Sequence, residues 1–150
     1  DLLINCLESF EMPPGRGEIF SLNNFKIIDD SYNANPESVK VALDHLSSFK
    51  EYRKFFVFGD MKELGANEEI FHKKIGQYAV EKADILLTVG KLAKNAQSNS
   101  NNFALSLHFN DNFSLLEKLN ELLTDGDIVL IKGSRSMQLD QLINELKNVK

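Results

Sequence analysis

Cysteine is almost absent from this 150-residue chain, occurring only at Cys6. No internal disulfide can form, which fits a cytoplasmic protein. Cys6 has no Cys or His at metal-ligand spacing, so it reads as a buried or incidental thiol. Basic charge is in deficit. Seventeen Lys and Arg against 22 Asp and Glu leave a net charge of -5, with no basic block. That argues against nucleic acid or an anionic membrane surface as the main partner. No apolar run approaches the ~20 residues of a membrane span. The opening Asp1-Leu2-Leu3-Ile4-Asn5-Cys6 has neither a basic leader nor a small-residue cleavage site, so no signal peptide is expected there. Two phosphate-binding loops are also missing. Without G-x-G-x-x-G after the first strand, a dinucleotide oxidoreductase is disfavoured; without G-x-x-x-x-G-K-[ST], the chain has no triphosphate cradle of its own.

What is present is an ordinary globular composition, 43% hydrophobic and 26% charged, in a length suited to one domain with a full core. Apolar runs at residues 25–28, 55–58, 85–89, 104–109 and 128–131 read as strands. Helical patterns alternate with them. One runs over residues 36–50 with Val39, Ala42, Leu43, Leu46 and Phe49 at helical spacing. A second starts near Asn67, with Glu68 and Glu69 in its first turn, and buries Phe71, Ile75, Tyr78 and Ala79. A short helix is expected near Lys91. A fourth, opened by Asp111 or Asn112, carries Leu115, Leu116, Leu119, Leu122 and Leu123; a fifth follows Ser136. Asn23-Asn24 predicts a tight hairpin that adds an antiparallel edge strand. The Ser- and Asn-rich residues 95–102 read as an exposed loop. The expected fold is α/β: a Rossmann-like, doubly wound, mostly parallel sheet with helices on both faces. Residues 1–14 differ. A stripe of Leu2, Leu3, Cys6, Leu7 and Phe10, then Pro13-Pro14-Gly15, reads as the end of a preceding domain and a linker, with the α/β domain spanning 15–150.

Every unusual polar cluster follows a strand. The first is Asp29-Asp30-Ser31-Tyr32-Asn33-Ala34-Asn35, ahead of a helix with Pro36 at its first position and Asn35 as cap. The second is Gly59-Asp60-Met61-Lys62-Glu63-Leu64-Gly65. The third is Lys132-Gly133-Ser134-Arg135-Ser136. Parallel strands put all three on one sheet edge, where α/β folds bind ligands. Helix N-termini attract anions, and the Arg135 guanidinium fits a carboxylate or phosphate. The bland alternatives are a strand-to-loop turn at Gly59-Asp60 and simple capping by Ser134 or Ser136. His45, His72 and His108 share no metal spacing and read as surface or packing residues. No catalytic set and no metal site are evident, so the chain reads as a supporting half-site.

In their order and at their strand ends, these three clusters resemble the carboxy-terminal domain of the Mur ligase family, in its D-alanyl-D-alanine-adding branch. Pro14-Gly15-Arg16 resembles that family's interdomain linker. The resemblance implies an ATP-dependent carboxylate–amine ligase of peptidoglycan precursor synthesis. Its substrates would be UDP-MurNAc-tripeptide and D-Ala-D-Ala. ATP and Mg2+ would be held mainly by a central domain outside this chain, so the chain alone is expected to be inactive. Amino-terminal and central domains of the same protein would be its partners. By the same resemblance, Asp30 would accept from ribose hydroxyls. Tyr32, Asn33 and Asn35 would line the adenine and ribose, and Arg16 would approach the nucleotide from the hinge. Ser134 and Arg135 would face the dipeptide carboxylate, with Asp60 and Lys62 at the closed substrate site. The rival reading is a phospho-accepting receiver-type signalling domain, whose acids and lysine Asp29, Asp30, Asp60 and Lys132 imitate. Spacing opposes it: one helix alone separates Asp30 from Asp60.

Overall fold

A computed structural model describes residues 13–149. The amino-terminal stripe and Cys6 lie outside the described residues. The strands are β1 (Glu18–Leu22), β2 (Phe25–Asp30), β3 (Arg53–Gly59), β4 (Ile85–Val89), β5 (Leu105–Phe109) and β6 (Asp127–Lys132). The helices are α1 (Pro36–Ser47), α2 (Glu68–Ala79), α3 (Asn112–Leu122) and α4 (Leu139–Val149). The six strands form one sheet in the order β1-β2-β6-β3-β4-β5. Only β1 runs antiparallel, joined to β2 by the expected hairpin, with Asn23 in the left-handed region at φ 52°. Asparagine tolerates that region better than most residues.

Strand side chains alternate between faces, and here both faces are apolar. Ile28, Phe56, Phe58, Leu86, Ile128 and Leu130 meet Val39, Leu43 and Leu46 of α1 and Ile75 and Ala79 of α2. Ile27, Phe55, Val57, Leu87, Val129 and Ile131 meet Leu115 and Leu119 of α3 and Leu139, Leu142 and Ile143 of α4. Burial on both sides is why the central strands read as unbroken apolar runs. The doubly wound expectation holds. Phe71 and Tyr78, expected to be buried, are only partly so and pack at the rim of the first layer.

Local chemistry sets the helix starts. Asn35 caps α1: its Oδ1 accepts from Ser38 N at 2.9 Å, Ser38 Oγ accepts from Asn35 N at 3.1 Å, and Pro36 takes the first position. Asp111 caps α3 through Ser114 N at 2.8 Å. The last helix starts later than expected. Arg135–Met137 form a 3-10 turn, Gln138 turns left-handed at φ 53°, and α4 opens at Leu139. Neither Ser134 nor Ser136 caps it; their hydroxyls pair with each other at 3.0 Å.

Another expectation fails: the Ser- and Asn-rich stretch is no exposed loop. The short helix expected near Lys91 is present, as 3-10 turns that begin at Ala93. Ala93–Asn102 coil as 3-10 turns packed on α2, with Ala93 and Ala96 fully buried. Small residues permit that approach, and one amide secures it. Gln97 Nε2 donates to Thr88 Oγ1 and to Leu107 O, each at 2.9 Å, while Ser106 Oγ donates to Gln97 Oε1. Polar composition marked the stretch as solvated, but its Gln97 finds partners in β4 and β5.

Candidate functional site

The carboxyl ends of β2, β6 and β3 lie side by side, because β6 sits between the other two. Register places Lys132 directly opposite Asp30. Their side chains meet: Lys132 Nζ lies 2.8 Å from Asp30 Oδ2 and donates to Asn33 O at 2.9 Å. Asp29, one residue earlier, points the other way and accepts from Ser31 N and Ser31 Oγ at 3.2 and 2.6 Å.

That alternation produces two clefts. On the α1 side, Arg16, Asp30, Tyr32, Asn33 and Asn35 line one cleft of about 280 Å³, together with Gly15, Ser38 and Lys132. All five residues that the resemblance assigns to the nucleotide are therefore brought together. The guanidinium of Arg16 lies 4.2 Å from the centre of the half-exposed Tyr32 ring, a cation–π contact. The linker is tied down on both sides of it. Gly17 N donates to Asp29 O and Tyr32 N donates to Gly15 O, each at 2.8 Å. Gly15 has φ 76°, and an added Cβ would lie 3.1 Å from Tyr32 N, so glycine is required there. The capping role occupies Oδ1 of Asn35, which leaves its NH2 as the group to offer a ligand.

On the α4 side, Asp29, Tyr32 and Arg135 line a second cleft of about 470 Å³ with Asp140, Asn144 and Lys147. The last three recur at helical spacing on α4. Arg135 Nη1 pairs with Asp140 Oδ2 at 2.9 Å on an open surface. Such a pair is weak in water, so Arg135 remains able to exchange Asp140 for another carboxylate. Ser134 is buried and does not line this cleft. Gly15 and Tyr32 form the wall shared by both clefts.

Asp60 turns inward. Its Oδ1 accepts from Leu92 N at 2.9 Å and Ala93 N at 2.7 Å, and Lys62 Nζ reaches its Oδ2 at 3.2 Å. Its carbonyl accepts from Ser134 N at 2.8 Å. One residue thus links the turns after β3, β4 and β6. Gly90 lies so near that a Cβ would fall 2.4 Å from Asp60 Oδ1. Lys62 itself is half exposed.

Sequence reasoning gave His72 no role beyond packing. Fully buried on α2, it accepts from Met61 N through Nε2 at 2.9 Å, while its Nδ1 lies 2.6 Å from Glu68 O. Both contacts require the neutral ring protonated at Nδ1. Burial is the main reason its pKa lies below the ordinary histidine value, and the Glu68 carbonyl opposes the shift. The available signal was its position among Ile75, Gly76 and Ala79 on the buried face of α2. The sign of the pH effect follows. A folded pKa below the unfolded one means the stabilisation is complete above the unfolded value, about 6.5, and is lost as pH falls through the folded value. Urea midpoints are expected to be flat above neutrality and to drop toward pH 5. His108, also shifted down by burial, adds to the same slope. A His72→Gln variant should show a shallower drop; an unchanged slope would mean that His72 does not carry it.

A receiver-type reading does not suit this arrangement. Its expected phospho-acceptor, Asp60, is 2% exposed, and both of its carboxylate oxygens are engaged. Receiver sheets run 2-1-3-4-5 with the last strand outermost, whereas β6 here is internal. Among the described residues, no three His, Cys, Asp or Glu side chains converge on a metal-sized site. No helix among them is long and apolar enough to cross a membrane.

Residues 15–135 match the family model of the Mur ligase, glutamate ligase domain. The UDP-N-acetylmuramoyl-tripeptide–D-alanyl-D-alanine ligase of Bacillus subtilis is 37% identical over 130 residues, 83% of this chain and 28% of that protein. A crystal structure of MurF from Acinetobacter baumannii superposes with a TM-score of 0.85 at 25% identity, over 97% of this chain and 33% of that one. The MurF ligase from Thermotoga maritima in complex with ADP shares the fold, with a TM-score of 0.82 at 24% identity over 98% of this chain and 36% of that one. This chain therefore spans about a third of the length of these proteins. By its family match, and by strand ends that carry the expected clusters, the chain belongs to the Mur ligase family through its glutamate ligase domain.

Proposed function

We propose that this chain is the carboxy-terminal domain of an ATP-dependent ligase that joins D-Ala-D-Ala to UDP-MurNAc-tripeptide, a cytoplasmic step of peptidoglycan precursor synthesis. The observation that carries the reading is the cleft of Arg16, Asp30, Tyr32, Asn33 and Asn35, in a chain similar to UDP-N-acetylmuramoyl-tripeptide–D-alanyl-D-alanine ligases. An aromatic ring beside a carboxylate suits a nucleoside, since the ring can stack on a base and the carboxylate can accept from ribose hydroxyls. ATP supplies a phosphoryl group that turns the tripeptide carboxylate into an electrophile for the dipeptide amine. The residues of this chain orient and enclose. Asp30, Tyr32, Asn33 and Asn35 hold the nucleoside, and Arg16 covers it from the linker. Arg135 receives the dipeptide carboxylate as a charge-assisted pair, on a turn that the buried Ser134 ties to Asp60 O. Asp60 and Lys62 support the turns around that place. Closing this edge over the reacting carboxylate excludes water from a hydrolysable intermediate. The triphosphate and Mg2+ belong mainly to a central domain of the same protein, with residues 1–14 as the end of that domain and the linker.

The test is phosphate release by the whole ligase with tripeptide and D-Ala-D-Ala. Asp30→Ala is expected to raise KM for ATP more than KM for the dipeptide. Arg135→Ala should do the reverse, by about one to two decades, since a hydrogen bond to a charged group is worth roughly 1.5–3 kcal/mol. If the two variants disturbed the same substrate, the assignment of the clefts would be wrong. This chain alone should release no phosphate, and acetyl phosphate should leave it unlabelled.

A further inference from the structure

Lys132 is the last residue of β6 and is 2% exposed. Ile128-Val129-Leu130-Ile131 precede it, and a methionine would fill the same space. A buried ammonium must be paired to be tolerated, and a buried pair adds little net stability over apolar side chains of similar volume. What the ammonium does contribute is orientation. It binds Asp30 Oδ2 at 2.8 Å and Asn33 O at 2.9 Å. Asp30 belongs to β2 and Asn33 to the turn beyond it, and both line the α1-side cleft. One atom of β6 therefore sets the carboxylate and the backbone of the turn that carries Tyr32. With Oδ2 engaged and the Asp30 side chain about one-fifth exposed, Oδ1 is the oxygen left for a ligand hydroxyl.

We propose that Lys132 is a positioning residue of this cleft, pre-orienting Asp30 and the turn to Asn33 for the hydroxyls of a nucleoside. The inference rests on the reading of the cleft as a nucleoside site. It adds that recognition of the ribose depends on a buried residue at the floor of the cleft.

The probe is adenosine, titrated into the isotopically labelled 150-residue chain and followed by amide NMR shifts, with 2′,3′-dideoxyadenosine as the comparison. Wild type should bind adenosine weakly, through shifts at Tyr32 and Asn33, and bind the dideoxy compound more weakly still. Lys132→Met should lose about tenfold in adenosine affinity, the worth of a charge-assisted hydrogen bond, and should no longer distinguish the two nucleosides. Lys132→Arg should recover part of both. A purely structural lysine would change thermal stability and leave the discrimination intact, and that result in a folded Lys132→Met would overturn the proposal. Should Lys132→Met fail to fold, the double variant Asp30→Asn with Lys132→Met removes both charges. It should bind adenosine more weakly than Asp30→Asn alone, because the Asn33 carbonyl also loses its donor; equal affinity of a folded double variant and Asp30→Asn would show that Lys132 does not position the turn and would overturn the proposal. Wild type that ignored both nucleosides would sink the nucleoside reading and the proposal together. Wild type that discriminated just as Lys132→Met does would sink the proposal alone.

Discussion

Asp60→Ala is expected to cost the fold about 3 kcal/mol, because it strands the Leu92 and Ala93 amides that Asp60 Oδ1 accepts from. Each buried donor left without an acceptor costs roughly 1–3 kcal/mol. For a chain of this length the melting temperature should fall by about 6–12 °C. Asp60→Asn keeps an oxygen for the same amides and should lose much less, about 1 kcal/mol. The comparison decides what Asp60 is for. A residue reserved for substrate would tolerate alanine without loss of stability and would show its cost in dipeptide kinetics. Thermal melts of the two variants answer the first half, and KM for D-Ala-D-Ala in the whole ligase answers the second. A stable Asp60→Ala with impaired use of the dipeptide would refute the internal role.

Gly76→Ala should be almost as damaging, against the usual expectation for a helix interior. In an exposed helix that substitution gains about 1 kcal/mol of propensity. Here the new Cβ would lie 2.1 Å from the carbonyl oxygen of Ala96, with Ala96 C and Cα at 2.8 Å. Those are backbone atoms, so no side chain can swing away. Either α2 or the Ala93–Asn102 turns must move. Overpacking costs typically 1–3 kcal/mol; a clash this close with backbone belongs at the upper end, so a net loss of about 2 kcal/mol is expected after the propensity gain of about 1 kcal/mol. Urea denaturation measures it, and a Gly76→Ala variant as stable as wild type would show that the two segments are not so closely held. The damage should also reach the Met61 turn, since His72 sits one helical turn before Gly76 and accepts from Met61 N.

Much of this architecture is legible in the residues because local and global preferences agree. Period-two strands buried on both faces leave unbroken apolar runs, and helices with one apolar stripe leave a 3.6-residue repeat. Asn35, Pro36 and Asp111 announce helix starts through chemistry confined to a few neighbours. The cleft of Arg16, Asp30, Tyr32, Asn33 and Asn35 is legible for the same reason, as four of its members lie within six residues. What periodicity cannot reveal is which strands are neighbours. The pairing of Asp30 with Lys132 depends on β6 lying next to β2, an association across about a hundred residues. The assignment of Asp29 and Asp30 to different clefts depends on the same register. The surroundings of Asp60 are hidden for another reason. A carboxylate after a strand looks alike whether it faces solvent or accepts from its own chain, and the amides that Asp60 accepts from belong to Leu92 and Ala93, some thirty residues on.

The central place of β6 has a consequence for the order of assembly. Its neighbours on either side, β2 and β3, come from the first part of the chain, yet they do not pair with each other. Until β6 arrives, both present an unfilled edge, and Asp30 has no ammonium opposite it. Such long-range closure is slow compared with local helix formation. A nascent chain therefore exposes two hydrophobic strand edges until nearly all of the domain has left the ribosome, the state in which aggregation and chaperone capture compete with folding. The same delay keeps incomplete chains from presenting a finished ligand edge. Competence to bind would then appear in one step, with the insertion of a single strand.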